Sequence, residues 1–554
     1  MKRRGHLSFF LLVALSIINV NEPCIAQEKK RYEKIERPNI IVIMADDMGY
    51  SDIGSFGGEI KTPNLDHLAA NGLRFSQFYS AARCCPSRAS LLTGLYPHMA
   101  GMGWMTGVDM KEPGYPGDLN NTSVTIAEVL KTSGYATFAI GKWHVSENVK
   151  YDGSKHNWPL QRGFDKYYGI IPGAANYFEP VGLTSGNEQV FANDGFYLTD
   201  ALSDTAANYI QKHAAEKIKS PFFLYLAYNA PHWPLHAKKK DIQKYMDVYS
   251  NGWDKLREQR YERQQQLGII KSSIKLTDRD SLVPAWKNIP EPEKQLLIKR
   301  MAIYAAQIDC MDQGIGKIVE TLKKNHIFDN TLIIFISDNG GSAEKISREN
   351  KNIEVLGKKE SYESYRVHWA NLSNTPFKRY KSSLHEGGIA SPCIISWPIM
   401  IDGKGSILTT PTHLIDLMPT FLSISGSTYP SVYNGHKISS LPGKDLTSVF
   451  QGNKLSERPI FWEHEAYRAL RFGQWKLVSK GNNKPPYTGS WELYDMDRDR
   501  TETNNLAEQF PKRVNEMEKT YNEWAAQNRV FPLNGTNIPT RFKTFGRKKN
   551  GYHE

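Results

Sequence analysis

Asp46 and Asp47 close an apolar run, Ile40-Ile41-Val42-Ile43-Met44, and Asp338-Asn339-Gly340-Gly341 close another, Leu332 to Ile336. Two carboxylates at one strand end, and a carboxylate with a carboxamide at another, supply hard oxygen ligands that suit calcium or magnesium better than zinc. Either pair alone also reads as a turn cap, since Asp and Asn favour turns. Cysteine is the second chemical feature. The chain has 5, of which Cys24 falls in an apolar leader, leaving Cys84, Cys85, Cys310 and Cys393. A chain of this length buries an adequate core without covalent staples, so these four do not read as a disulfide framework. The neighbours Cys84 and Cys85 are badly placed to bridge each other. Basic and imidazole groups follow further apolar runs: Lys142 and His144 in Gly141-Lys142-Trp143-His144, His232 in Ala230-Pro231-His232, and Lys381 ahead of His385-Glu386-Gly387-Gly388. Singly each reads as a surface or core residue; together, at successive strand ends, they read as a site.

The elements that must position these groups follow from periodicity. Continuous apolar runs at Ile40 to Met44, Tyr135 to Ile140, Phe222 to Leu226, Leu332 to Ile336 and Pro392 to Trp397 alternate with helical patterns at Thr62 to Asn71, Ser123 to Ser133, Thr199 to Ala214, Ile298 to Lys324 and Thr412 to Ser423. This alternation predicts an α/β fold, a mainly parallel sheet covered by helices on both faces. In such sheets ligands bind beyond the carboxyl ends of the strands, so the chemistry gathers on one edge. A charged, glutamine-rich stretch from His236 to Pro292, carrying Trp253, Leu256, Arg263 and Leu267, reads as a helical insertion over that edge, either a structural excursion or a substrate-shaping lid. Lys345 to Asn371 reads as a second polar insertion. After about residue 430 the pattern changes to short strands (Arg458 to Glu463, Arg468 to Phe472, Trp475 to Ser479, Trp491 to Asp495) and a helix from Pro511 to Asn528. Residues 27–430 are therefore expected to form the catalytic domain and 431–554 a smaller antiparallel sheet with one packed helix.

Cys84-Cys85-Pro86-Ser87-Arg88 runs through Ala89-Ser90 into Leu91-Leu92-Thr93-Gly94. Here the chain resembles the type I, formylglycine-dependent sulfatases, whose signature is Cys, any residue, Pro, a small residue and Arg leading into Leu-Leu-Thr-Gly. The resemblance extends from Pro38 to about Leu506. It is nearest to bacterial arylsulfatase-A-like enzymes acting on glycans, through Asn374 to Lys381, Trp462-Glu463-His464-Glu465 and the late Leu493-Tyr494-Asp495 and Asn505-Leu506 segments. His385 stands where many members carry tyrosine. The resemblance implies an alkaline-phosphatase-like fold and makes Cys84 the residue converted to formylglycine (3-oxoalanine). Its hydrate presents two hydroxyls on one carbon, one to attack sulfur and one to drive sulfate out by re-forming the aldehyde. It further implies one Ca2+ held by Asp46, Asp47, Asp338 and Asn339 beside the modified Cys84. Lys142 and Lys381 then balance charge on the sulfuryl oxygens, Arg88 holds the hydrate, and His232 and His144 serve as acid and base in an order that is open. A formylglycine-generating enzyme acting before export is an implied partner.

Glu344, His464 and Arg468 are candidates for hydrogen bonds to sugar hydroxyls, and equally for solvent-facing residues. By analogy with glycan-acting relatives, the preferred substrate is a terminal galactose or N-acetylhexosamine sulfate. Two alternatives remain open at this level: a phosphatase or phosphodiesterase of the alkaline phosphatase superfamily, which would need paired zinc ions and more Asp/His ligands, and an inactive glycan-binding homologue. Net charge is +12, spread without a long basic run, and no nucleic-acid-binding signature accompanies it. Lys2-Arg3-Arg4, an apolar run from Leu7 to Val20 and Cys24-Ile25-Ala26 read as a signal peptide over residues 1–26, which predicts export to a bacterial periplasm or surface. No later segment is long and apolar enough to span a bilayer.

Overall fold

The computed structural model describes residues 36–216, 220–346, 352–481 and 488–531; the expected signal peptide lies outside them. From Pro38 onward the described residues form one compact unit. Its centre is an 11-stranded mixed sheet made of β1 (Asn39–Ala45), β2 (Leu73–Tyr79), β3 (Ala136–Lys142), β4 (Lys166–Ile170), β5 (Leu183–Ser185), β6 (Glu188–Gln189), β7 (Phe222–Ala227), β8 (Thr331–Ser337), β9 (Ala390–Ser396), β10 (Ser406–Leu408) and β11 (Thr412–His413). The order is β10-β2-β9-β8-β1-β7-β3-β4-β5-β6, with β11 pairing β2. Strands β8, β1, β7, β3 and β4 are mutually parallel, while β9 runs antiparallel to both β8 and β2. The central strands β1, β7 and β8 are buried along their length apart from Asn39, as expected of strands covered on both faces.

The antiparallel β9 explains a feature of the sequence. Its amino end lies on the same edge as the carboxyl ends of its neighbours, so Lys381 reaches the common edge from before a strand rather than after one. Strand β2 escaped the sequence reading because Arg74, Ser76 and Gln77 interrupt its apolar pattern. The helix anticipated from Thr412 begins later, at Leu417. Thr412 and His413 instead pair with β2. The His413 ring then accepts the Ile415 N–H at 3.2 Å and Asp416 accepts the His413 N–H at 2.8 Å, a reciprocal cap that holds the entry to the turn.

The two insertions are fastened to the body. In the helix Gly252–Gln266, Arg260 is fully buried, with Nη1 donating to Asp52 at 2.7 Å and Nε to Glu59 at 2.7 Å. Trp253 packs edge-on to Trp286 and Trp369, at centroid distances of 4.6 and 5.3 Å. From the second insertion, the Ser361 carbonyl bonds the His236 ring at 2.7 Å and Glu363 accepts Arg300 at 2.9 Å.

Beyond a short hairpin of β12 (Val432–Tyr433) and β13 (His436–Lys437), the strands β14 (Ile460–His464), β15 (Tyr467–Phe472), β16 (Trp475–Gly481) and β17 (Thr488–Asp495) form a four-stranded antiparallel sheet. The helix Pro511–Gln527 closes a core of Phe461, Leu470, Leu477, Leu493, Tyr521 and Trp524. A buried ionic network ties this sheet to the larger one. Lys476 on β16 lies 2.9 Å from both Glu386 and Glu502, and Arg500 lies 3.1 Å from Glu386. Removing one partner strands the others without water. Lys476→Met is therefore expected to destabilise the protein by about 3–5 kcal/mol. Urea unfolding with unchanged m-value would measure it, and a loss below about 1 kcal/mol would mean that the network carries little of the fold.

Candidate active site

Five strand ends deliver one cluster. Strand β1 runs directly into Asp46-Asp47, β2 leads through residues 80–83 to Cys84, β3 ends on Lys142, β7 leads to His232, and β8 runs into Asp338-Asn339. Lys142 is placed by a glycine. Gly141 has φ 103°, and a Cβ there would stand 1.9 Å from the Ala227 carbonyl of the adjacent strand, so no other residue permits the approach. Asp47 (φ 63°) and His144 (φ 54°) hold left-handed backbone conformations uncommon for residues with a side chain. Such conformations persist where surrounding contacts over-determine them. Here the Asp47 N–H donates to Asp338 Oδ1 at 3.1 Å and the His144 N–H to the Ile171 carbonyl at 3.1 Å.

Carboxylates and cations alternate within the cluster. Lys142 Nζ donates to Asp46 Oδ2 at 2.8 Å, Lys381 Nζ to Asp47 Oδ2 at 2.9 Å, and Arg88 Nη2 to Asp338 Oδ2 at 2.8 Å while lying 3.6 Å from Asp46 Oδ1. Asn339 Nδ2 donates to Asp47 Oδ1 at 2.7 Å. All of these groups are buried. Three carboxylates face three cations, yet two oxygens are left over: Asp46 Oδ1 and Asn339 Oδ1 are buried and accept no hydrogen bond. Burial pushes the Asp338 carboxyl up to about 8, with Asp46 adding to the rise, and it raises Asp46 as well. Orphaned buried oxygens beside carboxylates whose ionised form burial disfavours are the condition of a cation site, and an all-oxygen donor set fits a hard divalent ion. Asp46, Asp47 and His232 also bring ligand atoms within 4.8 Å of one another.

Cys84 is the first residue of the helix Cys84–Thr93. A hydrogen bond from Cys85 holds its thiol well below the ordinary range; burial opposes this, while Lys142, Lys381 and His144 reinforce it. The Cys85 thiol is pushed well above its ordinary range by burial, and its Sγ lies 3.2 Å from His144 Nε2. The His232 Nδ1–H donates to the Trp233 carbonyl at 2.6 Å, which leaves Nε2 facing Lys381 Nζ at 3.4 Å and Asp47 at 3.5 Å. Burial lowers His232 to about 4, so the ring is neutral near pH 7 and its Nε2 offers a lone pair.

Three residues read from the sequence as sugar contacts part company. Glu344 stands at the mouth of the cluster, 3.7 Å from Lys381, and accepts the Trp233 indole N–H at 2.8 Å and Arg83 at 3.4 Å. His464 is fully buried one layer back, stacked on Trp104 at 5.3 Å and 3.6 Å from Glu465. Arg468 is not brought to the cluster. Its guanidinium lies 4.0 Å over Trp491 and donates to Ser479 Oγ and the Gly489 carbonyl, both at 3.3 Å, within the four-stranded sheet. His385 also turns away, toward Glu492 at 2.8 Å. Three other side chains at the mouth were missed: Arg83, Glu465 and Trp233. Arg83 adjoins the Cys84 signature and joins Glu344, Glu465 and Ser382. Its neighbour in sequence was the available signal.

The sequence-family model described as Sulfatase matches residues 38–427. An uncharacterized sulfatase of Schizosaccharomyces pombe is 31% identical over 526 residues, covering 87% of this chain and 92% of its own. The arylsulfatase of Klebsiella aerogenes is 35% identical, over 71% of this chain and 87% of its own, and the human N-acetylgalactosamine-6-sulfatase is 27% identical, over 82% and 73%. Among solved structures, Ps i-CgsB in complex with k-i-k-neocarrahexaose superposes with a TM-score of 0.65 at 28% identity, covering 93% of this chain and 99% of that one.

Proposed function

Because the chain belongs to the sulfatase family and is thus a sulfate-ester hydrolase, we propose that it removes O-sulfate from a sulfated carbohydrate, with a formylglycine made from Cys84 and one Ca2+ as its working groups. The observation that carries this reading is the convergence of Cys84, in its Cys-Cys-Pro-Ser-Arg setting, with Asp46, Asp47, Asp338, Lys142 and Lys381 from separate strand ends.

Asp46, Asp47, Asp338 and Asn339 would hold the calcium ion, with the modified residue 84 beside them. A bound Ca2+ supplies positive charge that draws a sulfate oxygen and favours an ionised hydroxyl. A hydrated aldehyde at position 84 supplies two hydroxyls on one carbon, one for attack on sulfur and one for release. The chain's own side chains do the rest. Lys142 and Lys381 stand as ammonium groups against oxygens on which charge builds, in a site too buried for water to screen them. Arg88 locks Asp338 and, through Nη1, donates to the Lys142 carbonyl at 3.1 Å, fixing the relative positions of both cations. His144 and His232 flank the cluster on opposite sequence arms. His232 Nε2, unprotonated before substrate enters, takes a proton once a sulfate monoanion raises its basicity and returns it to the leaving sugar oxygen; His144 faces residue 84 as base.

The carbohydrate part of the reading rests on the mouth. Glu344 and Glu465, whose side chains keep 26% and 20% exposure, are acceptors for sugar hydroxyls, and Arg83 and Lys381 hold them in place. N-acetylgalactosamine 6-sulfate belongs to the name of one relative and a neocarrahexaose is bound by another, so a galactose or N-acetylhexosamine sulfate is the preferred substrate. Export, for which the N-terminal segment is the support, would put the enzyme where such glycans occur. Peptide mass spectrometry of residue 84, paired with sulfate release from regioisomeric sulfated sugars, tests the proposal. An intact thiol in fully active protein would sink it, and release from aryl sulfate alone would remove the sugar. Glu344→Gln is expected to raise KM for the preferred sulfated sugar by about tenfold or more, since one charged hydrogen bond is lost. Its effect on a small aryl sulfate should stay within about threefold; equal losses on both would place Glu344 outside sugar recognition.

A further inference from the structure

Cys85 occupies the variable position of the signature and has no part in the chemistry above, yet it is fully buried against reactive atoms. Its Sγ lies 3.2 Å from His144 Nε2 and 3.9 Å from Met105 Sδ. Cys84 Sγ, Cys85 Sγ and a His144 ring nitrogen all lie within 4.8 Å of one another. All four residues are buried. The other two cysteines among the described residues are differently placed: Cys393 sits in β9, and Cys310 Sγ lies 3.2 Å from Asp200 Oδ1.

Two thiols, an imidazole and a thioether are soft donors, the opposite of the oxygen set formed by Asp46, Asp47, Asp338 and Asn339. Their spacing also suits a metal. Tetrahedral coordination with metal–sulfur bonds of about 2.3 Å and metal–nitrogen bonds of about 2.0–2.1 Å puts neighbouring ligand atoms roughly 3.5–3.8 Å apart. The 3.2 and 3.9 Å separations bracket that edge. We propose that the chain, while Cys84 is still a cysteine, holds a thiophilic d10 ion, Cu+ or Zn2+, on Cys84, Cys85 and His144 with Met105 at the fourth position.

Binding replaces two S–H bonds by two metal–thiolate bonds and releases two protons, with no change of oxidation state. The Cys84 thiolate charge is offset by Lys142 and Lys381, each already paired with an aspartate, and that of Cys85 by Lys142. The site would exist only in the unconverted chain. Exchange of the Cys84 CH2SH for an aldehyde removes one ligand, so ion binding and maturation exclude each other. The metal site itself stands without the sulfatase chemistry, because it needs only the thiol present in the translated sequence.

The test uses full-length protein from a host that leaves Cys84 as a thiol, checked by peptide mass, reduced and freed of metal. Anaerobic titration with Co2+ alone should give one equivalent with sulfur-to-cobalt charge-transfer absorption in the near ultraviolet, displaced by Zn2+ or by Cu+. Cys85→Ser and His144→Gln should each weaken binding about tenfold or more, and Cys393→Ser should leave it unchanged. Met105→Leu separates the two ions: weaker Cu+ binding with unchanged Zn2+ binding assigns copper, weaker binding of both admits zinc, and no effect on either would overturn Met105 as the fourth ligand. Co2+ bound without the charge-transfer band would place it on the neighbouring carboxylates and overturn the proposal. So would a folded Cys85→Ser protein that binds as well as the parent. Protein with residue 84 fully converted should lose the band.

Discussion

Cys84→Ser is expected to give a folded protein whose catalytic sulfate release falls by about 10⁴-fold or more, the scale of losing a covalent nucleophile. Folding should survive because the change is small and local. Residue 84 opens a helix whose first turn is held by the backbone bond from the Ser87 N–H to the Arg83 carbonyl, at 2.9 Å, and by Ser87 Oγ, which accepts the Ala81 N–H at 2.9 Å. Neither involves the thiol. Turnover fails for a chemical reason: a lone serine hydroxyl can attack sulfur once but carries no second oxygen on the same carbon with which to expel sulfate. Cys84→Ala, with neither sulfur nor oxygen, should lose turnover equally, which separates the missing second hydroxyl from a merely weaker nucleophile. Both variants should retain the parent's unfolding free energy in urea within about 1 kcal/mol. A serine variant that turns over at near-parental rates, with an unmodified side chain by mass spectrometry, would remove Cys84 from the centre of the mechanism.

How much of this was readable in the residues depended on whether a signal was local. Asp46-Asp47 and Asp338-Asn339 end continuous apolar strands, so strand, turn and ligand type were visible within ten residues. The signature from Cys84 to Gly94 was similarly contiguous. Strand β2 was missed although it leads to Cys84, because its pattern is broken by Arg74, Ser76 and Gln77, whose partners are distant: Arg74 donates to the Ser55 and Gly405 carbonyls and Ser76 to that of Leu408. The mouth was harder still. Arg83, Glu344 and Glu465 meet across sequence separations of 261 and 382 residues. No periodicity or spacing encodes such a meeting. Arg468 shows the converse: its residue type and place in the C-terminal part made it a candidate contact, but strand alternation on β15 sends its guanidinium over Trp491, away from the cluster.

The same distinction between local and convergent groups governs the proposed ion site. Chelation with EGTA is expected to abolish turnover, and Ca2+ to restore it where Zn2+ does not, because the ligand atoms converging from β1 and β8 are all oxygens. A second readout follows from the two unsatisfied oxygens. With Asp46 Oδ1 and Asn339 Oδ1 buried and unbonded, the ion-free protein carries an uncompensated polar cost. Ca2+ at a hundred times its Kd should therefore stabilise the fold by about 2.7 kcal/mol. The pH dependence has a definite sign. Burial holds the ion-free Asp338 carboxyl at about 8, whereas a coordinating carboxylate must be ionised. Below pH 8 each binding event expels that proton, so apparent Ca2+ affinity should rise about tenfold per pH unit up to about 8 and then level off. Calorimetry in buffers of different ionisation enthalpy counts the proton directly. Asn339→Ala should weaken binding without altering this proton release, and Asp338→Asn should abolish the release. Full activity after complete chelation would remove the ion from the chemistry, and two equivalents of zinc in active protein would instead point to the paired-zinc chemistry of a phosphatase.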